Sequence, residues 1–405
     1  MEKEFIRETQ HTVTLNITAG QIDSFREVER TTGTVRVYEN GCIGVAGCLG
    51  EPDEKALTEQ AKEALSFDIP YPCRLEGALE RTELDDREIL PAGQLIPVMR
   101  SFLQRLGEQC PKMAFSNKIS LTRRHTEYRS SLGRRLLASG GHLSIELLAQ
   151  NRGSGNLFDT FFTWAGDRFD PDGVLAHFKE QYDAFYTPAD LEDGRIPVVF
   201  QPENLLGPAL QHFVGDLYAA GASLLSGRLG EKVFHEKLTL CDDLNPATSF
   251  EHCFFDAEGC VTAGDRPALV ENGVLKGLLT TKKTAADYGL PNLGNAAAPY
   301  DGVPEIAFHR LYLAQTAPSL KELAPGRAVH VVIASGGDMT PDGHYASPVQ
   351  MAFLLEDGRP VGRLPDLSVS GDFFGLLGRD YLGTAHNCPF PGSQLTAVLM
   401  DVKKN

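Results

Sequence analysis

The chain has 405 residues, 42% of them hydrophobic and 23% charged, with a formal net charge of −16. This is the composition of an ordinary globular protein long enough for two domains. The acidic field argues against nucleic-acid binding, because the densest basic stretches, "TRRHTEYRSSLGRR" (122–135) and "TKKTAADY" (281–288), are short and interrupted.

No run approaches the roughly 18–20 apolar residues of a membrane span. The opening "MEKEFIRETQHTVTLNITAG" lacks a secretory apolar core. A cytoplasmic protein without a membrane partner is expected.

In chain order, "TVRVYENGCIGVAG" (34–47) predicts a hairpin turning at Asn40-Gly41, since both residues tolerate positive φ. Helical spacing of apolar residues follows in 54–67 and in 92–109. Strand-like runs flank a glycine turn in 151–169. A helix over 171–185 can be capped by Asp170 or Asp172. Near 193–206 a strand gives way to a helix over 204–220, with a glycine-rich break and a strand completing 204–234. Asn272-Gly273 and Asp357-Gly358 mark two more hairpins, in 268–280 and 351–364. The pattern predicts an α+β protein. An N-terminal αβ domain (1–200) precedes a largely antiparallel β-rich C-terminal domain (201–405).

Within 204–220, Leu206, Leu210, Phe213, Val214 and Leu217 form an apolar stripe, and Gln211, His212, Gly215 and Asp216 face away. His212 and Asp216 are four apart, which suits an exposed charge-assisted pair. A zinc hydrolase needs several imidazole or carboxylate ligands and an acid/base glutamate. This stretch offers only His212, Asp216 and the flanking Glu203, and His235-Glu236 does not continue into HExxH. His212 is therefore read as a partly exposed polar residue and a weak candidate ligand.

The eight cysteines form no CxxC pair, so free thiols are expected. GxSxG, GxxxxGK[ST] and a strand-borne GxGxxG are missing. "ASGGD" (334–338) and "GSG" (153–155) suit glycine turns. His386 and Cys388 in "GTAHNCPFPG" offer the best remaining ligand or reactive thiol, although a turn before the last strand accounts for them. His252-Cys253 with Cys260 is a weaker cluster, and Asp242-Asp243 reads as a strand end that caps or solvates a turn. No catalytic residue, metal or cofactor is assigned.

An ordered series of segments resembles the TldD/PmbA family, once called modulators of DNA gyrase. It comprises "SGRLGEKVF" (226–234), "LTLCDDL" (238–244), "FDAEGCVT" (255–262), "LVENGVLKGLLTTKKTAADYG" (269–289), "GNA" (294–296) and "LSVSGDFFGLLGRD" (367–380), after an early "TTGTVRVYENGCIGVAG" (31–47). The resemblance implies an αβ domain followed by an antiparallel β domain. It also implies two subunit types. TldD-like subunits carry HExxxH before the "SG-x-x-GE" segment and bind a metal with a further cysteine near the C-terminus. TldE-like (PmbA) subunits lack these ligands and pair with a TldD-like partner to cleave unfolded peptides.

Aligned without a gap through "GDLYAAGASLLSG" (215–227), the motif would fall on Leu206, Gly207 and Gln211, none able to do that work. His212 is one position off, a rotation of about 100° on a helix. Cys388 lies near the family's cysteine. The residues after "GNA" lack the basic character often found there. The resemblance thus implies a non-metal, TldE-like subunit that guides unfolded peptide for a TldD-like partner, or that forms a homodimer. A self-sufficient hydrolase around His386, Cys388 and His344 and a non-enzymatic peptide-binding homodimer are the alternatives. Whether the chain itself is an enzyme stays open.

Overall fold

The chain builds two eight-stranded sheets joined by a shared core, and the computed structural model describes residues 1–91, 93–250 and 253–405. In the first sheet the long strands Gln21–Glu39, Glu2–Thr18, Met113–Ser130 and Arg134–Asn151 run side by side and antiparallel. Burial alternates along "RRLLASGGHLSIELLAQN", as a pleated strand with one covered face requires. The cover is two helices. Leu95–Gln109 presents Leu95, Met99, Phe102, Leu103 and Leu106, and Pro171–Phe185 presents Val174, Leu175, Phe178 and Tyr182. The N-cap of the second is Asp170, whose carboxylate accepts the Asp172 N–H. Ala92, at the start of the expected 92–109 helix, lies outside the described residues.

The second sheet is mostly antiparallel and closes on itself. Arg327–Ala334 pairs with Gly194–Phe200, then Gln394–Lys404, Leu367–Asp372 and His344–Glu356 follow, and the last pairs back with Arg327–Ala334. Gly194–Phe200 thus hydrogen-bonds wholly inside the second sheet, so a cut at residue 200 would remove one of its strands. Met351 and Phe353 of this sheet share a core with Phe178 and Phe162 of the first half. The mixed helix and strand content and the mainly antiparallel sheets are those of an α+β fold.

All three hairpins form where the Asn-Gly and Asp-Gly pairs placed them. Asn40, Gly41, Asn272, Gly273, Asp357 and Gly358 all have positive φ, the geometry of a type I′ turn. The expected helix over 204–220 does not form as one piece. Pro202–Leu206 is α-helical, Gly207–Phe213 is a 3₁₀ segment, Val214 is extended and Gly215–Ala219 resumes. Leu206 and Phe213 are buried while Leu217 is 38% exposed, so the single apolar stripe is broken. Pro208 and the glycines at 207 and 215 weaken a continuous helix. Beyond it, Lys232 makes only an isolated bridge with Val274, not a strand.

Candidate functional site

The break in that helix decides where the aligned motif positions point. Leu206 is buried in the main core of the second half, Gly207 has no side chain, and Gln211 is exposed with its amide donating to the Pro208 carbonyl. The first and last positions therefore face opposite environments. His212 is not partly exposed as expected. It is 4% exposed, its ring edge-on to Phe373 at 5.1 Å. Its Nδ1 accepts a long 3.4 Å bond from the Leu224 N–H, and Nε2 has no partner among the described residues. Burial lowers its pKa, so the imidazole is neutral. It makes no bond to Asp216, because the extended Val214 ends the turn they would have shared.

His386 and Cys388 do not converge on it. The His386 Nε2 donates to the Leu313 carbonyl at 2.6 Å and its ring packs on Tyr312. Cys388 lines a separate cavity of about 810 Å³ with His177 and His330. Burial pushes both of those imidazoles down to about 4. His344 sits exposed at the start of its strand. His252 lies outside the described residues, and Cys253 donates to the Phe255 carbonyl.

Residues that the sequence presented as a turn form the polar centre of the molecule. Asp242 is fully buried and accepts four hydrogen bonds, from Asn295 Nδ2 (2.8 Å), the His309 N–H (3.0 Å), His309 Nδ1 (2.8 Å) and the Arg310 N–H (2.9 Å). Burial opposes a charge on His309. The Asp242 bond and the charges of Asp242 and Asp256 outweigh it and hold the imidazolium above its ordinary value. Asp243 is buried too, paired with Arg266 at 3.0 Å. Neither aspartate is solvated, but Asp243 does cap the turn that follows it, accepting the Asn245 N–H at 3.1 Å, whereas the groups bound by Asp242 come from distant segments. Two adjacent acids in "LTLCDDL" were the available signal, but the partners of Asp242 and the Arg266 that pairs with Asp243 lie some twenty to seventy positions further on.

Next to this pair, Asp256, Glu258 and Cys260 bring ligand-type atoms within 4.8 Å of one another, the sole such group among the described residues. Each is already occupied. Asp256 accepts from the N–H groups of Glu258, Cys260 and Ala296. Glu258 accepts from the Tyr71 hydroxyl (2.7 Å) and the Lys282 N–H (2.8 Å), and Cys260 accepts from Asn292. The buried Lys282 ammonium, donating to the Glu258 carbonyl at 2.6 Å, supplies the positive charge. Burial and then Asp256 push Glu258 up to about 7, while burial raises the Cys260 thiol well above its usual range.

This knot also clamps the two halves. Arg36 donates to the Ala257 carbonyl and Arg134 to the Gly259 carbonyl, both at 2.6 Å. Arg36 is itself buried against Glu4 at 2.8 Å, and Tyr38 and Tyr128 donate to the same carboxylate.

Between the polar face of the first sheet and this centre lies a cavity of about 640 Å³. Gln10, Arg30, Thr32 and Thr34 form one wall, and Ala296–Pro299, Tyr300, His309 and Arg310 the other. The His309 side chain, 22% exposed, looks into it. The cavity has hydroxyl, amide and cationic donors and a wall of methyl groups. It can hold a short extended chain by hydrogen bonds.

Residues 193–398, more than half the chain, match the PmbA/TldA metallopeptidase C-terminal domain. The chain belongs to the TldD/PmbA family. A Methanothermobacter thermautotrophicus protein named metalloprotease is 33% identical over 192 residues, 45% of this chain and 41% of that one. A Saccharolobus solfataricus protein named zinc metalloprotease TldD homolog is 26% identical over 268 residues, 62% of this chain and 59% of that one. The chain thus spans about half the length of the curated relatives it matches.

In fold it is similar to TldE from Thermococcus kodakarensis (TM-score 0.82, 19% identity, 100% of this chain and 97% of that one). A Thermotoga maritima protein whose name links it to a DNA gyrase gives a TM-score of 0.73 at 18% identity, over 99% and 96% of the two chains. Among the described residues no helix is long and apolar enough to cross a membrane.

Proposed function

We propose that this TldD/PmbA-family chain is the non-metal, TldE-like subunit of a cytoplasmic proteolytic assembly. A TldD-like partner supplies the metal, the activated water and the general base, and this chain holds the unfolded peptide. One observation carries the reading. The positions aligned with the family's HExxxH hold a core leucine, a glycine and a surface glutamine that bonds its own turn. Three protein ligands around an open position are the minimum for a catalytic zinc. Leu206, Gly207 and Gln211 provide none, and His212 and Cys388 stand in different parts of the fold. The interdomain cavity, rich in hydrogen-bond donors, supports the peptide-holding role.

Co-purification with a TldD-like subunit tests the proposal, followed by cleavage of an unfolded peptide by each chain alone and by the mixture. Co-elution, with cleavage only in the mixture or strongly enhanced there, is expected. Two chains that neither associate nor alter each other's activity would sink the subunit reading. Self-association and peptide binding without any such partner would favour the homodimer instead.

A further inference from the structure

Among the described residues, the charged side chains lining the interdomain cavity do not all pair off. Its lining acids are each engaged. Glu8 stands 3.8 Å from Arg124, Asp243 pairs with Arg266, and Asp256 takes three main-chain N–H groups. Two lining cations have no carboxylate partner among the described residues. Arg30 lies exposed over the Tyr300 ring, 5.7 Å from its centroid. Arg310 donates to the Thr248 and Gly392 carbonyls and lies over Phe250. Beside Arg310, both ring N–H groups of His309 are taken, by Asp242 and the Ala296 carbonyl. Among the described residues these two arginines are thus lining cations with no carboxylate facing them, and low-dielectric walls focus their field into the cavity.

We infer that the cavity selects an anionic stretch of extended peptide, one carboxylate of which sits between Arg30 and Arg310. This rests on the peptide-holding role proposed above and adds the substrate class to it. A guanidinium offers a carboxylate a fork of N–H donors, so the contact is directional as well as coulombic. Thr32 and Gln10 line the sheet wall beside Arg30, and Ala296, Ala297 and Ala298 opposite present only methyl groups. The carboxylate can come from an acidic side chain or from a peptide C-terminus.

The test is fluorescence anisotropy on the isolated chain with labelled eight-residue peptides, one carrying glutamates, one glutamine in their place and one lysine. Each is made as free acid and as C-terminal amide. The glutamate peptide is expected to bind about tenfold tighter than the glutamine one, and less tightly as salt rises. A preference that survives amidation assigns the site to acidic side chains, and one lost on amidation assigns it to the C-terminus. Arg30→Gln, at an exposed position, is expected to weaken the glutamate peptide roughly three- to tenfold. Arg310→Gln should do the same and Arg310→Lys, which keeps the charge but not the fork, should restore only part of it, with urea midpoints checking the fold.

Equal binding of glutamate and glutamine peptides, no binding at all, or indifference to both arginines overturns the inference. Its failure is separable from that of the subunit reading. Charge-selective binding without a TldD-like associate would sink only the latter, and association without charge selectivity only the former.

Discussion

Asp242→Asn probes the buried centre most directly. The wild-type carboxylate accepts two main-chain N–H groups on one oxygen and Asn295 and His309 on the other. The amide keeps one acceptor oxygen for the main-chain pair but turns donors toward Asn295, and it can no longer balance a protonated His309. Hydrogen bonds to a charged group contribute about 1.5–3 kcal/mol each, and a buried charge left without its partner costs about 3–5 kcal/mol. Two such bonds lost give about 3–6 kcal/mol, a large share of a typical 5–15 kcal/mol.

The cost should also depend on pH. His309 has its folded pKa raised by Asp242, so its stabilisation is complete below the unfolded value of about 6.5 and fades as pH rises through the folded one. The variant lacks this component, so its deficit should be larger at about pH 5.5 than at about pH 8.5. Urea unfolding of both proteins at the two pH values measures it. A deficit below about 1 kcal/mol, or one that grows toward alkaline pH, would refute the description of the Asp242–His309 pair.

Other substitutions test the clamp and the motif positions. Glu4→Gln leaves the buried Arg36 guanidinium without its carboxylate, so a loss of about 3–5 kcal/mol is expected in denaturant unfolding. Gly259→Ala forces a Cβ to 2.3 Å from the Tyr128 ring at φ +68°, whereas Gly41→Ala at φ +77° meets nothing within 4 Å. The first should cost about 3 kcal/mol or more and the second only about 1, read from paired melts.

Glu258, raised to about 7, holds a proton in the fold that the unfolded chain releases near its ordinary value. Its contribution therefore favours the fold at low pH and falls as pH rises from about 4.5 to about 7. The stability of Glu258→Gln relative to wild type should improve across that window, and a relative decline would contradict the burial argument. The triple variant Leu206→His, Gly207→Glu and Gln211→His should take up no stoichiometric zinc by elemental analysis, because the first position faces the core and the last faces solvent. One tightly held zinc per chain would show that the segment can rewind.

Local chemistry was legible in the sequence wherever the determining residues were neighbours. The three I′ turns followed from Asn-Gly and Asp-Gly because a positive φ is a property of the residue itself. The helices expected over 54–67 and 171–185 followed from helically spaced apolar residues, the second behind an aspartate cap, although the first ends its α-helical part at Ala64. That Leu206, Gly207 and Gln211 carry no imidazole or carboxylate is likewise a matter of residue identity.

What the sequence alone could not decide was set by contacts between distant segments. The 204–220 stripe had helical spacing, yet the core took Leu206 and Phe213 while main-chain bonds from Gly215 and Leu279 drew the chain out at Val214. His212, polar and therefore assigned to a wet face, was buried against Phe373, whose place in sequence gives no hint of the meeting. Asp242 and Asp243 followed the same course. A carboxylate is stable in a core only when enough donors converge on it. Those donors, Asn295, His309, Arg310 and Arg266, become neighbours only once the chain has folded.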